Sequence, residues 1–307
     1  MTDTYYKIFD ADHIRGNHFD SNNPTLYKSV ITNNLHYVVG NKGYGNVQPN
    51  FGVRATPSFN RILDLGIRIV PISFGARHED WENDFFPDDF HKMLKRMTEL
   101  GEIGTRGELS TEILKKNGIK SRVIGCPSLY YNLDRELKIF KTTDRLTSIN
   151  INLNTKQDRL FGYAINIWQK RKEININFTI QDFSRFLITN KPYSNFLCDT
   201  GRLFFNVDDW INGIEYCDFS IGNKFHGNVA AILAGVPALF IVHDTRMLEL
   251  CNYYKFPYIH EKDFDTSKPI EYYYELADYT EFNEYFAETY DNFIDYCKKN
   301  EVEFKSL

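Results

Sequence analysis

Residues 220–244 read SIGNKFHGNVAAILAGVPALFIVHD. A strand-like run ends in glycine, asparagine and lysine, and a small-residue helix pattern opens on a histidine. If the approach is extended, Lys224 and His226 point the same way and Phe225 turns into the core as an anchor. A helix opening there presents unpaired backbone N–H groups and the positive end of its dipole, a ready place for an anion. Lys224 adds a full charge, Asn223 and Gly227 lie within reach of a bound anion, and His226 could move a proton near neutral pH. Taken alone, the same joint also reads as a cap on a buried helix beside a surface lysine.

Four further joints carry groups of interest. Arg106, in IGTRGELSTEIL, stands between a short strand and a helix whose expected cap is Ser110 or Thr111. It reads either as a surface arginine or as a guanidinium that grips carboxylate or phosphate in two-point fashion. GCPSLY follows the next strand; Pro127 ends it and Ser128 is a candidate anion contact, while Cys126 lacks an identifiable histidine partner. In HDTRMLEL, Asp244 or Thr245 is the expected cap, and Arg246 and Glu249 share a helix face at i, i+3, so an ion pair is the simple expectation. Arg246 is also a candidate substrate contact. GARHEDW places Arg77 and His78 at a strand end. GNKGYGN (40–46) is glycine-rich but lacks both phosphate-loop spacings.

These joints need a scaffold that brings strand ends together. LHYVVGN and IRIVPISFG read as buried strands closing on glycine. PDDFHKMLKRMTELGE has a proline and two aspartates ahead of apolar residues at helical spacing. Strand and helix signals alternate from Leu35 to Tyr131 and again from Thr147 to Tyr254, which implies parallel sheets with helices on both faces. Active sites of such sheets lie beyond the carboxyl ends of the strands, and that rule selects Gly40-Asn41, Gly75 to Arg77, Thr105 to Gly107, Cys126 to Ser128, Gly222 to His226 and His243-Asp244. The expected organisation is a domain over 1–140, a second over 141–275 carrying the His-Gly motif, and an aromatic, acidic helical segment over 276–307 packing across both.

Composition narrows the function classes. The chain has 307 residues, 42% hydrophobic and 25% charged, enough to bury a sizeable core. A net charge of -5 gives no global footprint for nucleic acid. The apolar run from Val229 to Val242 falls short of the roughly 20 residues a bilayer span needs, and MTDTYYKIFDADH lacks the basic start of a signal peptide. Cys126, Cys198, Cys217, Cys251 and Cys297 show no metal-ligand spacing and read as buried or half-buried free thiols, so a cytoplasmic protein without a metal is expected.

IGTRGELSTEILKKNGIKSRVIGCPSLY, followed downstream by CDFSIGNKFHGNVAAILAGVPALFIVHDTRMLEL, resembles the polysaccharide pyruvyl transferase family. The resemblance runs from about Ile67 through Pro257. It implies two Rossmann-like doubly wound domains in a GT-B-like arrangement with C-terminal helices. It also implies transfer of pyruvate from phosphoenolpyruvate onto a sugar of a surface polysaccharide or glycan precursor as a ketal. Phosphoenolpyruvate is then the donor substrate and no cofactor is required. Arg106 matches the family's donor-binding arginine, and Lys224 to Gly227 match its basic-x-His-Gly motif with His226 as general acid. Lys224 stands where the family usually has arginine, which keeps the charge but loses the bidentate fork. The alternative is a GT-B-type glycosyltransferase in which Glu249 holds the ribose of a sugar nucleotide. The aromatic C-terminal helices suit core packing, a homo-oligomer contact, or a lipid-linked acceptor at the inner face of the membrane.

Overall fold

The structure is a computed structural model, and it describes residues 29–32, 36–38, 51–77, 86–153, 158–181 and 194–303. In chain order the first part contains β1 (Ser29–Thr32), β2 (His36–Val38), α1 (Phe51–Asp64), β3 (Arg68–Pro71), β4 (Gly75–Arg77) and α2 (Asp88–Met97). It continues with β5 (Ile103–Thr105), α3 (Glu108–Lys116), β6 (Ser121–Val123) and a 3-10 turn at Pro127–Tyr130. The second part runs β7 (Ser148–Asn152), α4 (Asp158–Lys170), β8 (Asn175–Thr179), α5 (Ser194–Thr200), β9 (Gly201–Arg202) and α6 (Val207–Asn212). Then follow β10 (Phe219–Gly222), α7 (Phe225–Leu233), β11 (Ala238–Val242), α8 (Thr245–Tyr254) and β12 (Tyr258–His260). The last helices are α9 (Ile270–Glu275) and α10 (Thr280–Lys299). No helix among the described residues is long and apolar enough to cross a membrane.

Two compact units emerge, interleaved along the chain. One is drawn from residues 1–133, 244–254 and 288–307, the other from 134–243 and 255–287. In the first, β1 pairs with β3, β2 with β4 and β5 with β6, all parallel, and Phe74 bridges to Thr105. Helix α2 shows why this unit closes. Asp88 and Asp89 sit in its first turn and Lys95 and Arg96 in its last, each favourable against the helix dipole. Phe90, Met93, Leu94 and Met97 are its buried stripe, and they meet Phe74, Phe86, Ile103, Ile113 and Leu114 in one core. Tyr296, fully buried, accepts the Gly104 N–H at 3.0 Å and donates to the Pro71 carbonyl at 2.6 Å.

The second unit is a six-stranded parallel sheet in the order β12-β11-β10-β7-β8-β9. Counted from β7, that is the 3-2-1-4-5-6 order of a Rossmann fold, whose topological switch point lies between β7 and β10. One face of the sheet is apolar, with Ile149, Ile151, Ile176, Phe178, Phe219 and Ile221 buried. The other carries Asn150, Asn152, Asn177, Thr179 and Ser220, also buried. Helix α7 covers part of that polar face through Asn228. The two glycines that flank the strand-to-helix turn let the backbones meet closely.

The thiols depart from expectation at one position: Cys198 is exposed on α5, while Cys126, Cys217, Cys251 and Cys297 are buried.

Candidate active site

At the switch point, β7 ends in Asn152 and β10 in Gly222, residues paired in register. The chain continues through Asn223 and Lys224, the latter extended (φ -102°, ψ 107°), and α7 opens at Phe225. The extended approach expected for Lys224 is therefore present. The Phe225 ring packs against Phe240, with centroids 5.7 Å apart, and stands edge-on to His226 at 5.5 Å. Phe225 packs on Phe240 but is half-buried, as Lys224 and His226 are, because the helix already opens at Phe225 and the alternation of an extended chain does not carry past Lys224. Asn223 is buried and its N–H donates to the Asn152 carbonyl at 3.1 Å.

Gly222 and Gly227 are required by packing. A Cβ on Gly222 would lie 1.9 Å from the Asn152 carbonyl oxygen, and one on Gly227 would lie 2.5 Å from Asn152 Cγ. Below them runs a chain of buried amides and hydroxyls. Thr179 Oγ1 donates to Asn150 Oδ1 at 2.7 Å, and Asn150 Nδ2 donates to Ser220 Oγ at 2.9 Å. Asn228 Oδ1 accepts from Asn152 Nδ2 at 2.7 Å and from Ser220 Oγ at 3.0 Å. Its Nδ2 donates to the carbonyls of Gly222 (3.1 Å) and Leu239 (3.2 Å). This network ties the first turn of α7, and with it His226, to the ends of β10 and β7. Asn152 Oδ1 is a buried acceptor with no hydrogen-bond partner among the described residues.

The first unit holds a separate charged group. Arg106 leaves the end of β5 with its N–H on the Phe74 carbonyl at 2.9 Å. Its Nε donates to both the carbonyl and the hydroxyl oxygen of Ser73, each at 3.2 Å. The two Nη nitrogens make no hydrogen bond among the described residues. Burial lowers the Arg106 pKa and the nearby Arg246 lowers it further, against Cys126, Glu249 and Asp244, which act the other way. An arginine so perturbed still carries its charge at neutral pH.

Helix α8 brings Arg246 to this group. Asp244 caps α8, its Oδ1 accepting the Met247 N–H at 2.9 Å, and its Oδ2 pairs with Arg246 Nη2 at 2.8 Å. Arg246 therefore pairs with Asp244, and the expected Arg246–Glu249 pair does not form. Glu249 instead reaches α3. Its Oε2 accepts the Ser110 N–H at 3.0 Å and its Oε1 accepts from Ser110 Oγ at 2.6 Å. Ser110 Oγ in turn accepts the Ala76 N–H at 2.9 Å. So neither Ser110 nor Thr111 caps α3: the cap position is Gly107, without a side-chain bond, and a carboxylate from α8 takes the amide that a cap would satisfy. A Cβ on Gly107 would lie 2.6 Å from Glu249 Cβ, which is why glycine stands there. Only 3% exposed and engaged through both oxygens, Glu249 is not presented to a ribose. Ser128 is buried in the Pro127–Tyr130 turn with its hydroxyl 3.1 Å from Cys126 Sγ.

The structure thus gathers Arg106 and Arg246 within one unit, and Asn223, Lys224, His226 and Gly227 within the other. Sequence reasoning missed Ser73, Ser110's true partner, and the amides of Asn152 and Asn228. Ser73 meets Arg106 33 positions on, Asn152 meets Asn228 76 positions on and Ser110 meets Glu249 139 positions on, so no local pattern signals these pairs. The Gly40-Asn41 tip, the GNKGYGN stretch and His78 lie outside the described residues.

Among solved structures, the chain is similar to UDP-GlcNAc 2-epimerase of Methanocaldococcus jannaschii in complex with UDP-GlcNAc and UDP. The identity is 11%, the TM-score 0.47, and the match covers 86% of this chain and 75% of the other. It is also similar to the kitacinnamycin glycotransferase, at 10% identity and a TM-score of 0.44 over 80% of this chain and 70% of that one. A third is MurG of Acinetobacter baumannii, at 12% identity and a TM-score of 0.35 over 89% and 99%. No curated protein matches the chain. The family model for polysaccharide pyruvyl transferase matches residues 5–245, a span that takes in Arg106, the Ser73 turn and the whole Gly222–Gly227 joint. The chain belongs to the polysaccharide pyruvyl transferase family.

Proposed function

We propose that this protein transfers the pyruvyl group of phosphoenolpyruvate onto two hydroxyls of a glycan acceptor as a cyclic ketal. One observation carries the reading beyond family membership. Arg106 is anchored through Nε and its two Nη nitrogens make no hydrogen bond among the described residues, beside a second guanidinium. A planar fork of that kind matches a carboxylate or phosphate in two-point fashion, and phosphoenolpyruvate carries one of each. Lys224, with the amides at the start of α7, supplies a further cationic and donor-rich place for the negative charge of donor or leaving group.

In this reading His226 gives a proton to the methylene carbon of the donor, and the electron pair of the C2–C3 double bond forms the new C–H bond. The cationic centre left at C2 is attacked by one acceptor hydroxyl, which loses its proton. The C2–O bond to phosphate then breaks, inorganic phosphate leaves, and a second hydroxyl attacks C2 to close the ketal. Of the two hydroxyl protons, one replaces that spent on the methyl group and the other leaves with phosphate. No oxidation state changes overall, so the reaction calls for no redox partner. A histidine suits the proton transfer because its ordinary pKa lies near neutrality.

His226→Ala should lower turnover by roughly 10²–10⁴-fold with the fold intact, the range for loss of a general acid. Near-normal turnover in a folded variant would remove that role. Arg106→Ala and Lys224→Ala should weaken phosphoenolpyruvate binding, and unchanged affinity in both would remove the anion-site argument. Thermal stabilisation by UDP or GDP, with no response to phosphoenolpyruvate, would favour a glycosyltransferase instead.

A further inference from the structure

Ser73 is one of four non-glycine residues with positive φ among the described residues, at φ 64°. It is 1% exposed, and it lies in the short segment where the chain leaves β3 and enters β4. A left-handed serine has no advantage in a buried turn; such a backbone costs on the order of 1 kcal/mol and persists where neighbouring structure enforces it. The enforcing contacts are visible on both sides. The Ile72 N–H donates to the Thr32 carbonyl at 2.8 Å, and the Phe74 N–H donates to the Gly104 carbonyl at 2.8 Å. The turn between them brings the Ser73 carbonyl and hydroxyl oxygens to the same point, where both accept from Arg106 Nε. On the far side of Ser73 the chain has glycine: a Cβ on Gly75 would lie 3.0 Å from Arg106 Cδ and 3.2 Å from Nε. The arginine side chain therefore lies across Gly75 with its Nε pinned, which leaves the orientation of the Nη pair little freedom.

We infer that Ser73, with Gly75 as the floor beneath the side chain, is the positioning residue that presents the Arg106 guanidinium as a preset fork for the donor's carboxylate or phosphate. The inference rests on the reading of Arg106 as the donor-binding arginine and adds the device that orients it. Fixing the fork before binding removes side-chain ordering from the cost of capturing the donor, on the order of 1 kcal/mol for a long flexible side chain. The strained turn is then a feature of the binding site, where such outliers cluster.

The test is a double-mutant cycle read by calorimetric titration with phosphoenolpyruvate, with thermal unfolding recorded for every variant. Ser73→Gly suits the positive φ and removes the hydroxymethyl group while keeping the backbone carbonyl, so it should leave the melting temperature near that of the parent while weakening donor binding by about tenfold, as for loss of a hydrogen bond to a charged group. Gly75→Val, which pushes Arg106 off its floor, should weaken donor binding similarly. The KM for the glycan acceptor should stay unchanged in both. In the Arg106→Ala background, Ser73→Gly should have no further effect on binding, because there is no guanidinium left to orient. Full donor affinity in Ser73→Gly and Gly75→Val, with affinity lost in Arg106→Ala, would overturn the positioning role and leave the donor site standing. Equal, additive losses in both backgrounds would also overturn it, marking a general structural effect. Full affinity in Arg106→Ala would overturn the donor-site reading and the inference with it.

Discussion

Replacing Glu249 by glutamine should alter how stability depends on pH, in a direction the structure determines. The Glu249 carboxyl is buried, and burial pushes its pKa from an ordinary 4.5 up to about 7. The Ser110 hydroxyl and amide and the Arg106 charge pull it down, and Asp244 adds to the upward push. A carboxyl whose pKa is higher folded than unfolded binds its proton preferentially in the folded state. Its contribution is therefore complete below pH 4.5 and is lost as pH rises through about 7. The gap between 4.5 and about 7, at about 1.4 kcal/mol per pH unit, corresponds to roughly 3 kcal/mol. Glutamine keeps an acceptor for the Ser110 N–H but cannot titrate. Urea unfolding of both proteins between pH 4 and 8 isolates the effect as a difference, in which all other titrating groups cancel. The parent should lose roughly 3 kcal/mol relative to Glu249→Gln across that range, and amide exchange over 108–116 should report the same trend locally. A difference that stays flat with pH would refute the argument that Glu249 is held against its own burial.

Other outcomes follow from packing and polar satisfaction. Tyr296→Phe leaves the Gly104 N–H buried without its acceptor and should cost about 1–3 kcal/mol by denaturant unfolding. Gly125→Ala places a Cβ 2.0 Å from the Tyr254 hydroxyl at φ 74°, and a melting temperature unchanged by it would contradict the described contact between the two. Asn228→Asp sets a carboxylate against the Gly222 and Leu239 carbonyls. It should destabilise by on the order of 3 kcal/mol at neutral pH, with partial recovery in acid where the carboxyl takes a proton.

Much of the scaffold was legible in the residues. The alternation of strand and helix signals, the proline-aspartate start of α2 and the small-residue run after His226 are local properties, set by propensity and by periodicity within a few positions. Lys224 as an extended residue ahead of the helix was also legible, whereas Phe225 is helical and half-buried rather than turned into the core. Asp244 as the cap of α8 followed from its chemistry alone.

Other features required partners far away along the chain. Nothing near Ser110 announces that its amide and hydroxyl meet a carboxylate 139 positions later. The i, i+3 spacing of Arg246 and Glu249 pointed to a pair that burial and the nearer Asp244 redirected. The polar residues Asn150, Asn152, Asn177 and Thr179 of TSININL and ININFT are buried in the structure, where Thr179 bonds Asn150 and Asn228 of α7 receives the Asn152 amide. Alternation in a sequence states which residues share a face, and only the covering element decides whether that face meets water. Arg106 and the GNKFHG joint could be named from the sequence, since charge and strand-to-helix transitions are written locally. The Ser73 turn that holds Arg106 and the amide network that holds the start of α7 arise only when distant strands pair, because a hydrogen bond is fixed by distance in space.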